Sequence, residues 1–404
     1  MKRLREIVNA KDLVPKTLNS NLKAKQRYWT LGFSLSVLPF LARAEMFYRN
    51  IPQLRAQAYN AVLPSLSIIV PARNEEHNLR RLLPSLERQE YPGQIEIIIV
   101  DDHSTDGTVE VVECRQRDIN SVQNASYSLK QIPAPSLPAG WLGKPNASHT
   151  GACAARGEWL LFTDADMEHE VFSAASAVAF AQAHSLDGLS IFPRQETSGL
   201  LNNAVLMVAF AGLFAGLRRP TTMLNGQYVL IRRDVYEASG GFAAVRAEMI
   251  EDFAYGRLLA DQGYQVPIMR GESLATVHMY DNWRQMWYGI NRLGSGSLRY
   301  NGILALIPAI FVTGLMMPIW TLLFNRRYIR EMPNLWLIWF ASMVGFLPWV
   351  SRFSGNQNSK NNKRSTALGI MMTPVAGFFV QLASLWGLLS RLLGKGISWK
   401  DRKV

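Results

Sequence analysis

Two apolar runs that end abruptly in carboxylates restrict what this chain can fold into. Ile95-Glu-Ile-Ile-Ile-Val100 is strongly β-branched and is followed at once by Asp101-Asp102. Trp159-Leu-Leu-Phe-Thr163 is followed by Asp164-Ala165-Asp166. Short continuous apolar runs of this kind read as strands buried on both faces. Such strands belong to parallel sheets covered by helices, and open α/β sheets bind ligands at the carboxyl ends of their strands. A D-x-D pair at a strand tip suits a hard divalent cation, Mg²⁺ or Mn²⁺, which prefers carboxylate oxygens and can bridge to a diphosphate.

The neighbouring sequence supports the same architecture. Leu66-Ser-Ile-Ile-Val70 reads as a first strand. Leu79, Leu82, Leu83 and Leu86 then recur at the spacing of an amphipathic helix. Asn74 is placed to cap that helix, with Glu75 and Glu76 in its first turn. Glu251-Asp252 opens a further helical stretch ending near Gly263, and Lys144 lies upstream of the D-x-D in a loop with Gly143 and Pro145. The predicted fold is α/β: a mostly parallel, Rossmann-like sheet flanked by helices, forming a catalytic domain over residues 64–299.

The ends of the chain differ in character. Of the 404 residues 48% are hydrophobic, yet the net charge is +12. Lys2, Arg3, Arg5, Lys11, Lys16, Lys23, Lys25 and Arg27 make the first segment basic, without the form of a secretory signal. Basic charge beside apolar segments points to an anionic membrane surface and away from nucleic acid. Residues 302–324, 333–351 and 365–390 carry no charge. They predict about three transmembrane helices in a membrane domain over 300–404, with Trp320, Trp336, Trp339 and Trp349 at interfaces. Positive residues lie on both sides of these helices, so orientation rests on chemistry. A nucleotide-dependent domain belongs in the cytosol, which makes the chain a multi-pass cell-membrane protein. Cys114 and Cys153 lack metal-ligand spacing and fit a reduced compartment.

Two more apolar stretches need a different reading. Residues 29–42 are too few to span a bilayer and predict an interfacial or re-entrant helix within the segment 1–63. Residues 197–217 also carry no charge, but a crossing there would put Asp166 and Glu251-Asp252 on opposite sides of the membrane. They therefore predict an interfacial helix lying against lipid.

The polar residues at the strand tips can divide the work of moving a sugar from a nucleotide donor. A carboxylate after the second strand can bind a base N–H or a ribose hydroxyl. Lys144 can neutralise phosphate. The D-x-D can hold a metal that stabilises the departing diphosphate, and a further carboxylate can deprotonate the acceptor hydroxyl.

Seven stretches together resemble family-2 glycosyltransferases with a GT-A catalytic domain. They are Ile68-Ile-Val-Pro-Ala-Arg-Asn-Glu-Glu76, Val100-Asp-Asp-His-Ser-Thr-Asp-Gly107, Gly140-Trp-Leu-Gly-Lys144, Gly157-Glu-Trp-Leu-Leu-Phe-Thr-Asp-Ala-Asp166, Asn225-Gly226, Gly240-Gly241 and Glu251-Asp252. The resemblance implies that Pro71, Arg73, Glu75 and Asp102 hold the nucleotide and that Lys144 and Asp164 meet the diphosphate. It implies that Asp166, helped by Asp164 and with His278 as a further candidate, holds the metal. Asp252 becomes the base of an inverting displacement. Trp141-Leu-Gly-Lys144 and Val277-His278-Met279-Tyr280 are similar to the membrane-attached carotenoid and hopanoid-type lipid glycosyltransferases, although that group's usual pattern is replaced by Pro145-Asn146 after Lys144. That subgroup implies a UDP-sugar donor and a membrane-lipid acceptor.

Two rival classes stay open. A processive polysaccharide synthase would carry a Q-x-x-R-W motif, and Asn282-Trp-Arg-Gln-Met-Trp-Tyr-Gly289 does not. A non-catalytic membrane scaffold with a degenerate nucleotide fold would not need acids at every expected position. Trp283, Trp287 and Tyr288 could stack on a sugar or dock a helix at the membrane surface.

Overall fold

The computed structural model describes residues 37–120, 127–197, 199–217, 221–280, 282–301, 343–353 and 368–393, with a few isolated positions besides. The basic segment 1–27 and residues 302–324, 333–339 and 341–342 lie outside the described residues.

The main sheet has seven strands in the order β3-β2-β1-β4-β8-β6-β9. They are β1 (Leu66–Ala72), β2 (Ile95–Asp101), β3 (Tyr127–Pro133), β4 (Trp159–Thr163), β6 (Gly188–Phe192), β8 (Tyr228–Arg232) and β9 (Ile268–Arg270). All neighbours pair in parallel except β8, which runs antiparallel to both β4 and β6. A smaller sheet joins β5 (Met167–His169), β10 (Ala275–His278) and β7 (Arg194–Glu196). The first chain crossing runs from β1 to β2 and a later one places β4 on the other side of β1. The crevice of this fold therefore opens at the carboxyl ends of β1 and β4.

Side-chain alternation builds the two faces of the sheet. Ile68, Val70, Ile97, Ile99 and Leu161 enter the core under the helices Glu76–Glu87 and Ser173–Ala183. Ile69, Ile98, Val100, Leu160 and Phe162 enter the opposite core, under Gly143–Ala154 and Glu251–Asp261. Each fully buried aliphatic side chain is worth about 1.5–3 kcal/mol, so burial on both faces explains why the two sequence runs are mostly apolar. Glu96, the charged exception, is satisfied by Ser67 and Lys130. Gly157 is a packing requirement of the same layer. A Cβ there would lie 2.5 Å from the Ser67 backbone nitrogen, where β4 enters beside β1.

A second apolar body joins the helical residues 37–49 to the helices Leu200–Gly216, Trp283–Asn301, Leu347–Phe353 and Thr373–Leu392. Three stretches read from sequence as interfacial meet protein neighbours here. Ten of the 17 residues of Leu200–Gly216 are buried, among them Val205, Val208 and Phe214. Trp349 is fully buried rather than interfacial, its ring 5.7 Å from Tyr48 and 5.8 Å from Phe214. The end of the 29–42 stretch is likewise turned inward, with Val37, Phe40 and Leu41 buried. Hydropathy does not distinguish a lipid neighbour from an apolar protein neighbour. Among the described residues, one helix segment, Thr373–Ser390, is long and apolar enough to cross a membrane, with 39% of it buried. One ion pair ties the body together: Arg352 reaches both oxygens of Glu45 at 2.7 Å.

Candidate active site

The acids predicted at the strand tips share one edge of the sheet. Ala72 pairs with Asp101, and the Asp102 N–H donates to the Ala72 carbonyl at 2.7 Å. β1 and β4 are in register from Leu66 with Trp159 to Ile69 with Phe162. Pro71, Asp102 and Asp164 therefore emerge side by side from β1, β2 and β4.

The loops after β1 and β2 lock each other. Arg73 Nη1 donates to the Asp102 carbonyl at 2.7 Å. Asn74, at φ 52°, does not cap its helix, contrary to expectation. Its side-chain oxygen accepts from the Thr105 N–H at 2.8 Å. The first helical N–H groups are satisfied from the second loop instead. Glu75 N–H donates to Thr108 Oγ1 at 2.8 Å and Glu76 N–H to Asp106 at 3.2 Å, while Gly107 N–H returns to Glu76 at 3.2 Å. Asp101 closes its own turn by accepting from Ser104 N–H at 3.1 Å. Asp102 is buried. Glu75 accepts from Asn78 at 2.7 Å. Crossed caps hold this side of the crevice rigid, which suits a nucleotide cradle.

Lys144 is not in a loop. Gly143 starts a helix, and Lys144 occupies its first turn. Pro145 suits that turn because its missing N–H would have no intrahelical partner there. The amino terminus of this helix brings Lys144 and a positive dipole end to the strand tips. Lys144 Nζ stands 2.6 Å from Asp164 Oδ1 and 3.2 Å from Glu251 Oε1. Burial opposes its charge, but Asp164 and then Glu251 hold its ammonium well above the ordinary lysine range.

Glu251 and Asp252 open their helix as the sequence predicts. Their environments divide them. Burial works against Glu251 ionisation, yet Lys144 and Arg292 hold its carboxyl below the usual range. Burial pushes Asp252 up, and the neighbouring Glu251 charge adds to it. Lys144, the Gly226 N–H and Arg292 pull in the other direction, and the outcome is about 6. A half-buried carboxylate with that value is ionised at neutral pH and is still a competent proton acceptor. Asp252 Oδ2 accepts from Gly226 N–H at 2.8 Å.

Arg292 is the site residue that sequence reasoning missed. It comes from the helix Trp283–Asn301. Burial opposes its charge, while Glu251, Asp252, Tyr280 and Asp164 raise it above its ordinary value. It is the second cation of the acid cluster, and no local motif around Asn291-Arg292 announces it. On the same helix Trp283 and Tyr288 are exposed, and Trp287 packs on Phe379 with ring centroids 5.4 Å apart.

The donors for a divalent cation are only partly assembled. Among the described residues, no group of three or more His, Cys, Asp or Glu is arranged to hold a metal. Asp164 is engaged by Lys144. Asp166 and His278 are neighbours across β5 and β10, with His278 N–H donating to the Asp166 carbonyl at 2.9 Å. His278 Nε2 lies 3.1 Å from Glu168 Oε2. Asp166 offers the carboxylate oxygens that a hard cation prefers, and the backbone contact sets His278 beside it. A cavity of about 280 Å³ lined by His149, Cys153 and Tyr236 includes none of these acids in its walls.

Comparison with known proteins bears on the family and the fold. The family model described as Glycosyl transferase family 2 matches residues 67–252, a span that runs from β1 to Asp252. A 4,4'-diaponeurosporenoate glycosyltransferase of Staphylococcus aureus (strain USA300) is 26% identical over 338 residues, covering 78% of this chain and 84% of that protein. The mannosyltransferase PcManGT from Pyrobaculum calidifontis, solved in complex with GDP-Man and Mn²⁺, aligns with a TM-score of 0.55 at 18% identity. That alignment covers 90% of this chain and 99% of that chain, and it is a likeness of fold.

Proposed function

We propose that this chain, a glycosyltransferase whose residues 67–252 form a family-2 domain, moves one sugar from a UDP-sugar to a hydroxyl or carboxylate of an apolar membrane lipid, with inversion. The observation that carries the mechanism is the contrast between two adjacent acids: Glu251 is neutralised by Lys144, whereas Asp252 is pushed up to about 6. Asp252 takes the proton of a hydroxyl acceptor as its oxygen attacks the anomeric carbon from the face opposite the diphosphate, which leaves; a carboxylate acceptor attacks already ionised and gives up no proton. Lys144 and Arg292 supply positive charge where the leaving diphosphate becomes more negative. Pro71, Arg73, Glu75 and Asp102 line the nucleotide side. Asp166 and His278, with Asp164 once Lys144 turns to phosphate, would hold a Mg²⁺ or Mn²⁺ ion. A bound cation supplies Lewis-acid stabilisation of the departing diphosphate.

The lipid acceptor is supported by two features. The diaponeurosporenoate relative bears the name of a carotenoid-acid glycosyltransferase. The helix Thr373–Leu392 also leaves an apolar stripe exposed, with Val375, Leu382, Leu385, Trp386 and Leu389 at helical spacing. That stripe, together with the uncharged sequence of 302–324 and 333–351, supports a multi-pass membrane domain over 300–404. The domain over 64–299 then faces the cytosol, where nucleotide donors are available.

Mass spectrometry of lipids from cells with the wild-type protein, with Asp252→Asn and with neither tests this reading. A lipid heavier by one sugar is expected in the first sample alone. A ladder of long products would favour a processive synthase, and lipids identical in all three would sink the acceptor class. For the metal, Asp166→Ala should weaken UDP binding in the presence of Mn²⁺ on the order of tenfold and leave Mn²⁺-free binding unchanged. Titration calorimetry reads both, and equal affinities of wild type and variant with Mn²⁺ would remove Asp166 from the site.

A further inference from the structure

The turn Asn225–Gly226–Gln227 touches both halves of the acid cluster. Its Gly226 N–H donates to Asp252 Oδ2 at 2.8 Å. Its Gln227 carbonyl accepts from the Asp164 N–H at 3.3 Å and from the Thr163 hydroxyl at 3.2 Å. The Thr163 proton is thereby committed, so its oxygen accepts from His169 Nε2, 2.9 Å away. Burial keeps the His169 imidazole neutral, pushed down to about 3, and a neutral imidazole has one N–H to give. The hydrogen bonds thus run from His169 through Thr163 to the Gln227 carbonyl.

The turn is also held from behind. Asn225 N–H donates to Ser190 Oγ at 2.8 Å, and that hydroxyl returns to the Asn225 carbonyl at 3.1 Å. Asn225 Nδ2 donates to the Ile191 carbonyl at 3.0 Å and to Gln227 Oε1 at 3.1 Å. A turn fixed on β6 therefore fastens the backbone of the D-x-D on one side and the carboxylate of Asp252 on the other.

We propose that this turn sets the distance between Asp252 and the D-x-D acids, and that Gly226, Thr163 and His169 are positioning residues for sugar transfer. The proposal rests on Asp252 being the base. A base must stand within hydrogen-bond reach of the proton it takes, and a displacement near 1 Å can lower a rate by about 10²-fold. Gly226 shows how little freedom there is. A Cβ at that position would lie 3.0 Å from Asp252 Oδ2 and 3.2 Å from its Cβ. Gly226 is not among the residues with left-handed backbone, so alanine fits the chain and conflicts with Asp252 itself.

Steady-state kinetics of Gly226→Ala, Thr163→Val, Thr163→Ser and Asp252→Asn test this. Gly226→Ala is expected to lower kcat about 10–100-fold, with donor KM within about twofold of wild type. It should also move the acid limb of kcat/KM to higher pH, because the displaced Asp252 carboxylate moves away from the main-chain N–H that lowers its value. Glu251 on the same helix, Lys144 and Arg292 are the other charged groups acting on Asp252, and none of them is altered. Thr163→Val should lower kcat about tenfold, and Thr163→Ser should restore it. Wild-type kcat and pH profile in Gly226→Ala and Thr163→Val would overturn the proposal. Loss of UDP binding in both would also overturn it, since it would mark a role in folding alone. If Asp252→Asn turns over at the wild-type rate, the base assignment falls. If Asp252→Asn is inactive while Gly226→Ala is normal, positioning by the turn falls by itself.

Discussion

Asp252→Asn is expected to fold, bind UDP as the wild type does and transfer sugar about 10²–10⁴-fold more slowly, the range for loss of a general base. The wild-type kcat/KM should fall on the acid side with a midpoint near 6, because Asp252 must be ionised in the free enzyme to accept a proton and is pushed up to about 6. The residual rate of the variant should lack that limb. Stability should move in the opposite direction. A carboxyl raised above its unfolded value contributes stability while protonated, and that contribution is lost as pH rises through the folded value. At pH 7–8 the wild type therefore carries an ionised group that its buried surroundings disfavour. Asn offers Gly226 an acceptor oxygen without the charge, so the variant should be more stable there, by on the order of 1–3 kcal/mol. Denaturant melts at pH 5 and pH 8 would show the gap widening with pH. A variant that keeps full turnover, or is equally destabilised at both pH values, would contradict the assignment.

Part of this site could be read from the chain because particular residues leave local signatures. Ile95–Asp101 and Trp159–Thr163 carry buried apolar residues on both faces, as a covered sheet requires, and the acids at or just after their ends mark the strand tips. Glu251-Asp252 coincides with a helix start. Other features leave no such trace. Tyr228–Arg232 runs antiparallel, and a buried strand carries the same apolar pattern in either direction. Gly143-Lys-Pro-Asn146 has turn-forming composition, yet proline is equally at home in a first helical turn. Asn74 has the chemistry of a helix cap but serves the β2 loop, a partner distant in sequence. Arg292 enters the cluster only because the second apolar body folds its helix against the sheet edge. The apolar residues of Leu200–Gly216 signal burial but not what buries them.

Lys144→Met should cost both binding and stability, and a second substitution separates the two. The ammonium stands between Asp164 and Glu251 at 2.6 Å and 3.2 Å. Methionine has similar length and no charge. It leaves Asp164, Glu251 and Asp252 facing one another with Arg292 as the remaining cation known to act on all three. Breaking a fully buried pair costs about 3–5 kcal/mol. The Lys144 side chain is 30% exposed, so solvent screening reduces the expected loss to about 1–3 kcal/mol. Donor affinity should fall about 10–100-fold, because the diphosphate loses a charge-assisted contact. Asp252 also loses one of the charges that lower it, which moves the acid limb of the remaining activity to higher pH. Adding Glu251→Gln removes the acid left without its lysine. The double variant should regain much of the stability and none of the donor affinity. Lys144→Arg keeps the charge, but a planar fork cannot take the place of a compact ammonium between two converging carboxylates, so partial stability with poor transfer is expected. Unchanged UDP affinity in Lys144→Met would remove the lysine from the diphosphate site. A double variant no more stable than the single one would mean that the ion triad is not what holds Lys144 and Glu251 together.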